Sequence, residues 1–250
     1  MADEREARRA DATRVTLEPH NPEWARMAAE ESARIAGALG DLLVTTHHIG
    51  STSILGIAAK PTVDLMPAAR PDADIYACRR PMETLGYLWR GEFGIPGRRY
   101  CVLERDGQRL FHVHIFPDGH ANITTQLMFR DYLRGHRDEA LAYEAIKREA
   151  AAAHPWDSLA YNDHKSAWIL ACQQRAAAWA LPQGPVQARR TSIPVPPPPA
   201  QPRWGRRRHA QARRRRCQGN RSLRCNLGAG AAIVERVCAW FRPLRSEERR

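Results

Sequence analysis

The sequence of 250 residues has six cysteines but no C-x-x-C pair among them. Cys78, Cys101 and Cys172 stand singly, and Cys217, Cys225 and Cys238, even taken with His209, are spaced unlike zinc knuckles. A disulfide framework and a structural zinc site are thereby set aside, and reduced thiols are expected. No apolar run approaches the ~18–20 residues of a membrane span. The opening MADEREARRADATR lacks the apolar core of a secretory signal. A cytoplasmic protein with no membrane partner is the expectation.

A positive balance is also missing from the part of the chain that can fold. The formal net charge is +12, but residues from 181 onward hold 17 Arg, no Lys and 3 Glu, so the tail carries +14 and the first 180 residues −2. The folded part therefore shows no electrostatic footprint for nucleic acid, and any such binding falls to the tail. Residues 181–250 are proline-rich, then arginine-rich, without apolar periodicity until AAIVERVCAWF. That composition cannot bury enough surface to offset chain entropy, so a disordered tail is expected. Arginine without lysine also fits a high-GC coding bias or a shifted reading frame; recovery of tail peptides from the natural protein would dismiss the second.

What remains is a flexible N-terminus over 1–13 and one domain over 14–180. HNPEWARMAAEESARIAGALGD has Asn21 to cap, Pro22 for the first turn, an apolar stripe at three- and four-residue spacing, and Gly40 to stop it. LLVTTHHI and TVDLM read as short strands, the second stopped by Pro67. DADIYACRRPMETLG reads as a helix that Pro81 bends or splits. RRYCVLE and QRLFHVHIF flank Asp106-Gly107, a pair suited to a type I′ hairpin turn. That register sets Glu104 against Arg109, Cys101 against His112 and Arg99 against His114. Arg99, Cys101, His112 and His114 should then share one sheet face, and Phe111, Val113 and Ile115 the other. Three helical stretches follow between about 120 and 180, so the expected class is α+β: a small mixed sheet flanked by helices.

The stretch HHIGSTSILGIAAKPTVDLM, residues 47–66, admits three readings. A P-loop requires four residues between its glycines and a lysine directly after the second; here five residues separate Gly50 from Gly56, and Lys60 comes four later. A nucleotidyltransferase arrangement requires a Gly-Ser turn for phosphate and, on the next strand, two alternate carboxylates that clamp metal ions from one face. Gly50-Ser51 followed by Asp64-Leu65-Met66 has that spacing, but Met66 holds the place of the second acid. The third reading is a turn of small residues leading into a buried strand.

Taken with GEFGIPGRRY, HVHIF, FRDYLR and AYNDHK, the same stretch resembles the GrpB family, a little-characterised group placed in the nucleotidyltransferase superfamily. The resemblance spans about residues 14–175. It implies a nucleotidyltransferase-like fold, Gly50, Ser51 and Ser53 as a phosphate turn, Lys60 as a nearby cation and Asp64 as a metal-type carboxylate. It also marks Gly94, Gly97, Arg98 and Arg99 in a loop, His112 and His114 on the hairpin, and Lys165 on the last helix. Thr125-Gln126 departs from the Arg-His that the family pattern carries before FRDYLR.

His112 and His114, two apart on a strand, project from one face, and Asp64 would complete a two-His, one-carboxylate set if its strand lies alongside. Half-buried, hydrogen-bonded histidines are the plainer alternative. Arg99, set against His114 by the hairpin register, is the favoured phosphate ligand of the arginine pair. The leading functional expectation is an enzyme that binds a nucleotide or other phosphorylated small molecule at Gly50-Ser51, with Mg²⁺ or Mn²⁺ at Asp64, His112 and His114, and transfers a nucleotidyl group. The rivals are a catalytically silent ligand-binding module of the same fold and nucleic-acid binding through the tail.

Overall fold

The computed structural model describes residues 14–181. The expectations for 1–13 and for the tail beyond Leu181, with its cysteines, His209 and nucleic-acid contacts, lie outside the described residues. Helix α1 (Glu23–Leu39) begins as the sequence predicts: Asn21 Oδ1 accepts from Glu23 N at 3.0 Å, and Gly40, with φ of 52°, turns the chain out of the helix. Strands β1 (Leu43–Ile49) and β2 (Val63–Ala69) follow, joined by a loop that opens with a 3₁₀ turn at Ser51–Ser53. A second 3₁₀ turn, Ile75–Cys78, leads into the short helix α2 (Arg79–Thr84). The break expected at Pro81 falls two residues earlier, because a proline in the first turn of a helix surrenders no hydrogen bond.

Strands β3 (Leu88–Trp89), β4 (Arg99–Arg105) and β5 (Gln108–Pro117) complete a five-stranded sheet in the order β1-β2-β5-β4-β3. Only β2 and β5 run parallel, so the sheet is mixed. Helices α3 (Ala121–Gly135), α4 (Arg137–Ala153) and α5 (Ser158–Ala180) follow and pack against one another. The class is α+β. No helix among the described residues is long and apolar enough to cross a membrane.

One face of the sheet presents Val63, Leu65, Cys101, Leu103, Phe111, Val113 and Ile115 to Trp24, Ala28 and Ile35 of α1 and to Met82 of α2. The other face meets α3 through Met66, Ala68, Phe116, Ile123 and Leu127. A third cluster joins Ile54 and Ile57 of the β1–β2 loop to Phe129, Leu133, Tyr143 and Ile169 of the three long helices. The loop is thus built into the core, and its backbone is held from both sides.

Two local expectations are corrected. Strand β2 runs on through Pro67, which pairs with Thr46 of β1, while the ladder to β5 passes from Leu65↔Val113 to Ala68↔Phe116. The missing proline N–H is tolerated where the ladder is interrupted. The hairpin turns at Asp106 and Gly107, both at positive φ, and keeps Glu104↔Arg109. The register then shifts at Leu103/Glu104, so that Leu103 faces Phe111, Val102 faces His112, Cys101 faces Val113 and Tyr100 faces His114.

The bulge has a clear cause. A straight continuation from the turn puts Cys101 and Leu103 on the face of His112 and His114, and leaves Val113 and Ile115 without their apolar partners. Each fully buried aliphatic side chain is worth ~1.5–3 kcal/mol, and three or four of them rival the ~5–15 kcal/mol that keeps a whole domain folded. One extra residue in β5 restores the match. Arg99 and Cys101 consequently sit on the α1 side, away from the histidines, and Tyr100 takes the place expected of Arg99.

Cys78, Cys101 and Cys172 are free and buried, and burial pushes each thiol above its ordinary range. Peptide-resolved alkylation at pH 7.5 should leave these three unmodified in the native protein and label them fully only in denaturant. Native labelling of Cys101 at the denatured rate would overturn the placement of β4.

Candidate functional site

Asp64 lies at the start of β2, opposite Ile49 of β1 on one side and His112 of β5 on the other. Residues paired across neighbouring strands share a face, so the parallel β2–β5 ladder brings the carboxylate under the imidazoles. His112 Nδ1 is 3.4 Å and His114 Nε2 3.5 Å from Asp64 Oδ1. Burial works to raise the Asp64 pKa, but the two imidazoles prevail and hold it below the ordinary carboxylate range. Asp64 is ionised at neutral pH. His114 is pushed down to about 4, by burial first and by Arg98 as well, so it is neutral there.

The phosphate turn closes over the same carboxylate. Gly50 has φ of 70°, and a Cβ placed on it would stand 2.4 Å from Asp64 Oδ2. Only glycine fits, on both counts. Ser53 spends its hydroxyl on the Gly50 carbonyl at 2.7 Å and is buried, so it builds the turn. Ser51 is half-buried, and its hydroxyl reaches only Tyr143 Oη, at 3.3 Å. Of the two serines, Ser51 is the one placed to meet a ligand.

Lys60 and Lys165 approach from the helical side. Their ammonium groups lie 5.6 and 4.3 Å from the centre of the Tyr161 ring, and Lys60 Nζ is 3.5 Å from Ser158 Oγ. Lys165 is driven down to about 7 by burial and by the charges of Lys60 and Lys147, while Asp64 pulls the other way. Lys60 is lowered by burial and supported by Asp64. One carboxylate thus serves two ammonium groups and touches two imidazoles.

The arginine pair divides contrary to expectation. Arg99 stacks over Tyr76, 4.0 Å from guanidinium carbon to ring centre, and donates to Glu92 Oε1 at 3.2 Å, away from the histidines. Arg98 is the one that reaches the site. It is 5% exposed, its Nη1 lies 3.3 Å from His114 Nδ1, and its other nitrogens donate to the carbonyls of Glu92 and Phe93. With Nδ1 accepting from Arg98, the proton of neutral His114 sits on Nε2 and points at Asp64. Among the loop glycines, Gly97 has φ of 79°, and a Cβ there would come 3.1 Å from His120 Nε2, whereas Gly94 faces open space. His112 Nε2 is buried without a protein partner.

Several supporting residues escaped the sequence reading. Arg130 donates to the His48 carbonyl at 3.1 Å, Arg134 to Ser53 O at 2.8 Å, and Arg137 to Leu55 O and Gly56 O. Glu144 accepts from Ala58 N at 2.8 Å, and Lys147 donates to the Ala58 carbonyl. A spacing of four along α3, and spacings of seven and three along α4, place the groups of each helix on one side of it. That spacing was the available signal, but charged helix residues read first as a solvated surface. Thr125 and Gln126 are buried, and the Thr125 hydroxyl bonds back to Ala121 O.

A magnesium pair of the nucleotidyltransferase kind, expected from the sequence resemblance, makes definite demands on the donor set. Mg²⁺ takes oxygen ligands in near-octahedral geometry. Here Met66 buries a thioether at the alternate position, and both imidazoles approach the same Asp64 oxygen. Among the described residues no group of three or more His, Cys, Asp or Glu is arranged to hold a metal ion. The residues present do not fit that pair.

The profile described as GrpB protein matches residues 14–175. The chain belongs to the GrpB family. It is 36% identical over 167 residues to the UPF0157 protein YqkA of Bacillus subtilis, covering 66% of this chain and 48% of YqkA. It is 38% identical over 172 residues to the UPF0157 protein SCO7215 of Streptomyces coelicolor, covering 67% and 87% of the two chains. The crystal structure of the conserved protein GrpB from Enterococcus faecalis is similar at a TM-score of 0.61 and 32% identity, over 66% of this chain and 99% of that one. The chain spans about half the length of YqkA, and all of the site described above falls within the GrpB match.

In this GrpB domain the contact between Gly50 and Asp64 can be measured. Gly50→Ala should cost about 2–4 kcal/mol, from the left-handed backbone and the overlap with the carboxylate. Thermal melting should show a fall of roughly 5–15 °C. Adding Asp64→Ala should return part of that loss, as a double-mutant cycle reads it. An unchanged melting temperature for Gly50→Ala would mean that the turn and the acid are not in contact.

Proposed function

We propose that the chain binds a phosphorylated small molecule, of which a nucleotide is one kind, with its phosphates between the Gly50-Ser51 turn and the ammonium groups of Lys60 and Lys165. One observation carries this reading: the ammonium groups of half-buried Lys60 and Lys165 both lie over the Tyr161 ring, at 5.6 and 4.3 Å, and buried Lys147 adds its charge to theirs, which with burial lowers the Lys165 pKa while Asp64 opposes the shift. Desolvated like charges are costly. A phosphate with two negative charges relieves that cost, and the turn adds a small hydroxyl. His112 Nε2, buried and unpartnered in the protein, adds one more polar contact for the ligand.

Binding without nucleotidyl transfer is the reading favoured over metal-dependent catalysis. Support for that order comes from Met66 in place of the second acid and from the engagement of Asp64 with both imidazoles. Asp64→Asn separates the two readings. In a binding module it removes the acid that supports Lys60 and Lys165, so anion affinity is kept or rises. In an enzyme that uses Mg²⁺ or Mn²⁺ it abolishes any gain in binding or turnover that the cation brings.

Titration of the full chain with tripolyphosphate and nucleoside triphosphates, with and without Mg²⁺ or Mn²⁺, tests the reading. Lys165→Ala and Lys60→Ala should each weaken binding at least about tenfold. No saturable binding of any phosphate, or binding indifferent to both lysines, would sink it. The pH dependence has a definite sign. Lys165 is half-protonated near pH 7 when free, and a bound anion raises its pKa. Binding between about pH 7 and 9 should therefore take up a proton, and affinity should fall as pH rises through that window. Calorimetry in buffers of different ionisation enthalpy reads the uptake directly.

A further inference from the structure

Phe93 combines two features that rarely occur together in a bulky residue. Its φ is 45°, in the left-handed region where glycine is ordinarily used, and its side chain belongs to a residue 57% exposed. Neither feature helps the core. Glycines at positive φ stand on either side, Gly91 at 65° and Gly94 at 82°, so the turn itself asks for a small residue. The chain places an aromatic ring there instead.

The ring is fixed relative to the anion site. Arg90 N donates to Tyr100 O and Tyr100 N to Gly91 O, both at 2.8 Å, which closes the base of the loop. Arg98 then ties the loop to the site: Nη2 donates to the Phe93 carbonyl, Nε to the Glu92 carbonyl at 3.1 Å, and Nη1 lies 3.3 Å from His114 Nδ1. The Phe93 ring is stacked on Tyr100, with centroids 5.2 Å apart and planes 26° from parallel. Tyr100 in turn borders His114 at 5.2 Å and His112 at 5.7 Å. A continuous aromatic strip therefore leads from the imidazoles beside Asp64 out to an exposed ring face.

We propose that the Phe93–Tyr100 pair is the stacking platform for a nucleobase, so that the ligand of the anion site is a nucleotide rather than a phosphorylated sugar or a simple polyphosphate. The proposal rests on the phosphate site described above and assigns the other end of the same ligand. Every base has a π face, so a stacked ring of this kind selects for a base while tolerating its identity. Holding Phe93 in its strained turn keeps the platform in place before the ligand arrives, which lowers the ordering cost of binding.

The test compares adenosine and cytidine triphosphates with tripolyphosphate and ribose 5-phosphate on the full chain by calorimetry. Wild type should bind both nucleotides about tenfold or more tighter than tripolyphosphate. Phe93→Leu, which keeps apolar cover on Tyr100 and removes the π face, should erase that difference and leave tripolyphosphate binding unchanged. Retained tripolyphosphate affinity shows that the variant is folded. Phe93→Trp should keep the preference, and its added fluorescence should be quenched by the nucleotides and not by tripolyphosphate. If nucleotides and tripolyphosphate bind alike and Phe93→Leu alters neither, the platform is wrong while the phosphate site stands. If no phosphate binds at all, both readings fall together.

Discussion

The approach of the Gly50 backbone to Asp64 fixes the rest of the site. Asp64 Oδ2 occupies the space where a Cβ at position 50 would go, so the chain leaving β1 must turn with a glycine and must turn directly over the carboxylate. The parallel pairing of β2 with β5 sets His112 against the same acid from the other side. Backbone and side chain are thus locked to each other at a single point, and the turn, the acid and the imidazoles are bound to meet in one site, the cleft of the proposed reading. The arginines and Lys147 on α3 and α4 act on this geometry at a distance, because they bond to carbonyls from His48, at the end of β1, to Ala58 in the loop that follows.

Charge around the cleft is partitioned by the same architecture. The helix cations that hold the loop have acids of their own: Arg130 Nε lies 2.7 Å from Asp131 Oδ1 and Arg134 4.0 Å from it, while Glu144 supports Lys147. The cations over Tyr161, Lys60 and Lys165, are both supported by Asp64. An ion pair among loop-holding groups is partly self-compensated and contributes rigidity. A shared acid leaves net positive potential in a desolvated place, where Coulomb interactions are strong. The distinction separates scaffold from site more sharply than residue type does.

Local rules made much of this legible in advance. Asn21 and Gly40 delimit α1, Asp106-Gly107 makes the hairpin, and Gly50-Ser51 with Asp64 and the His112/His114 pair converge as their spacing suggests. What failed was register. A single bulge between the turn and Leu103↔Phe111 exchanged Arg99 for Tyr100 beside His114, and the choice between Arg98 and Arg99 reversed with it. The adjacent apolar pair Leu110-Phe111 breaks the alternation of β5 and was the local sign of that bulge. The helix side of the cleft was illegible for a different reason. Tyr143, Lys147 and Tyr161 are distant in sequence from the loop they face, and helical periodicity does not distinguish a polar stripe turned to water from one turned to a buried backbone.

Met66 brings the remaining point into focus. It stands two residues from Asp64 on the same strand face and is fully buried with Ile49, Phe116, Ile123 and Leu127. An acid at that position would be desolvated beneath α3, so restoring it would require a different helix packing as well as a different residue. The loss of the second carboxylate is therefore built into the core. In a metal-dependent transferase, two acids hold cations, and the cations neutralise phosphate. Here Lys60 and Lys165 are the cations where the phosphates are proposed to lie, Lys165 completing its charge as the anion binds, and Asp64 supports both. Ammonium groups held by the fold need no second carboxylate. On the proposed reading, Met66 and the two lysines are complementary parts of a single arrangement, with ammonium groups in the place of a metal pair.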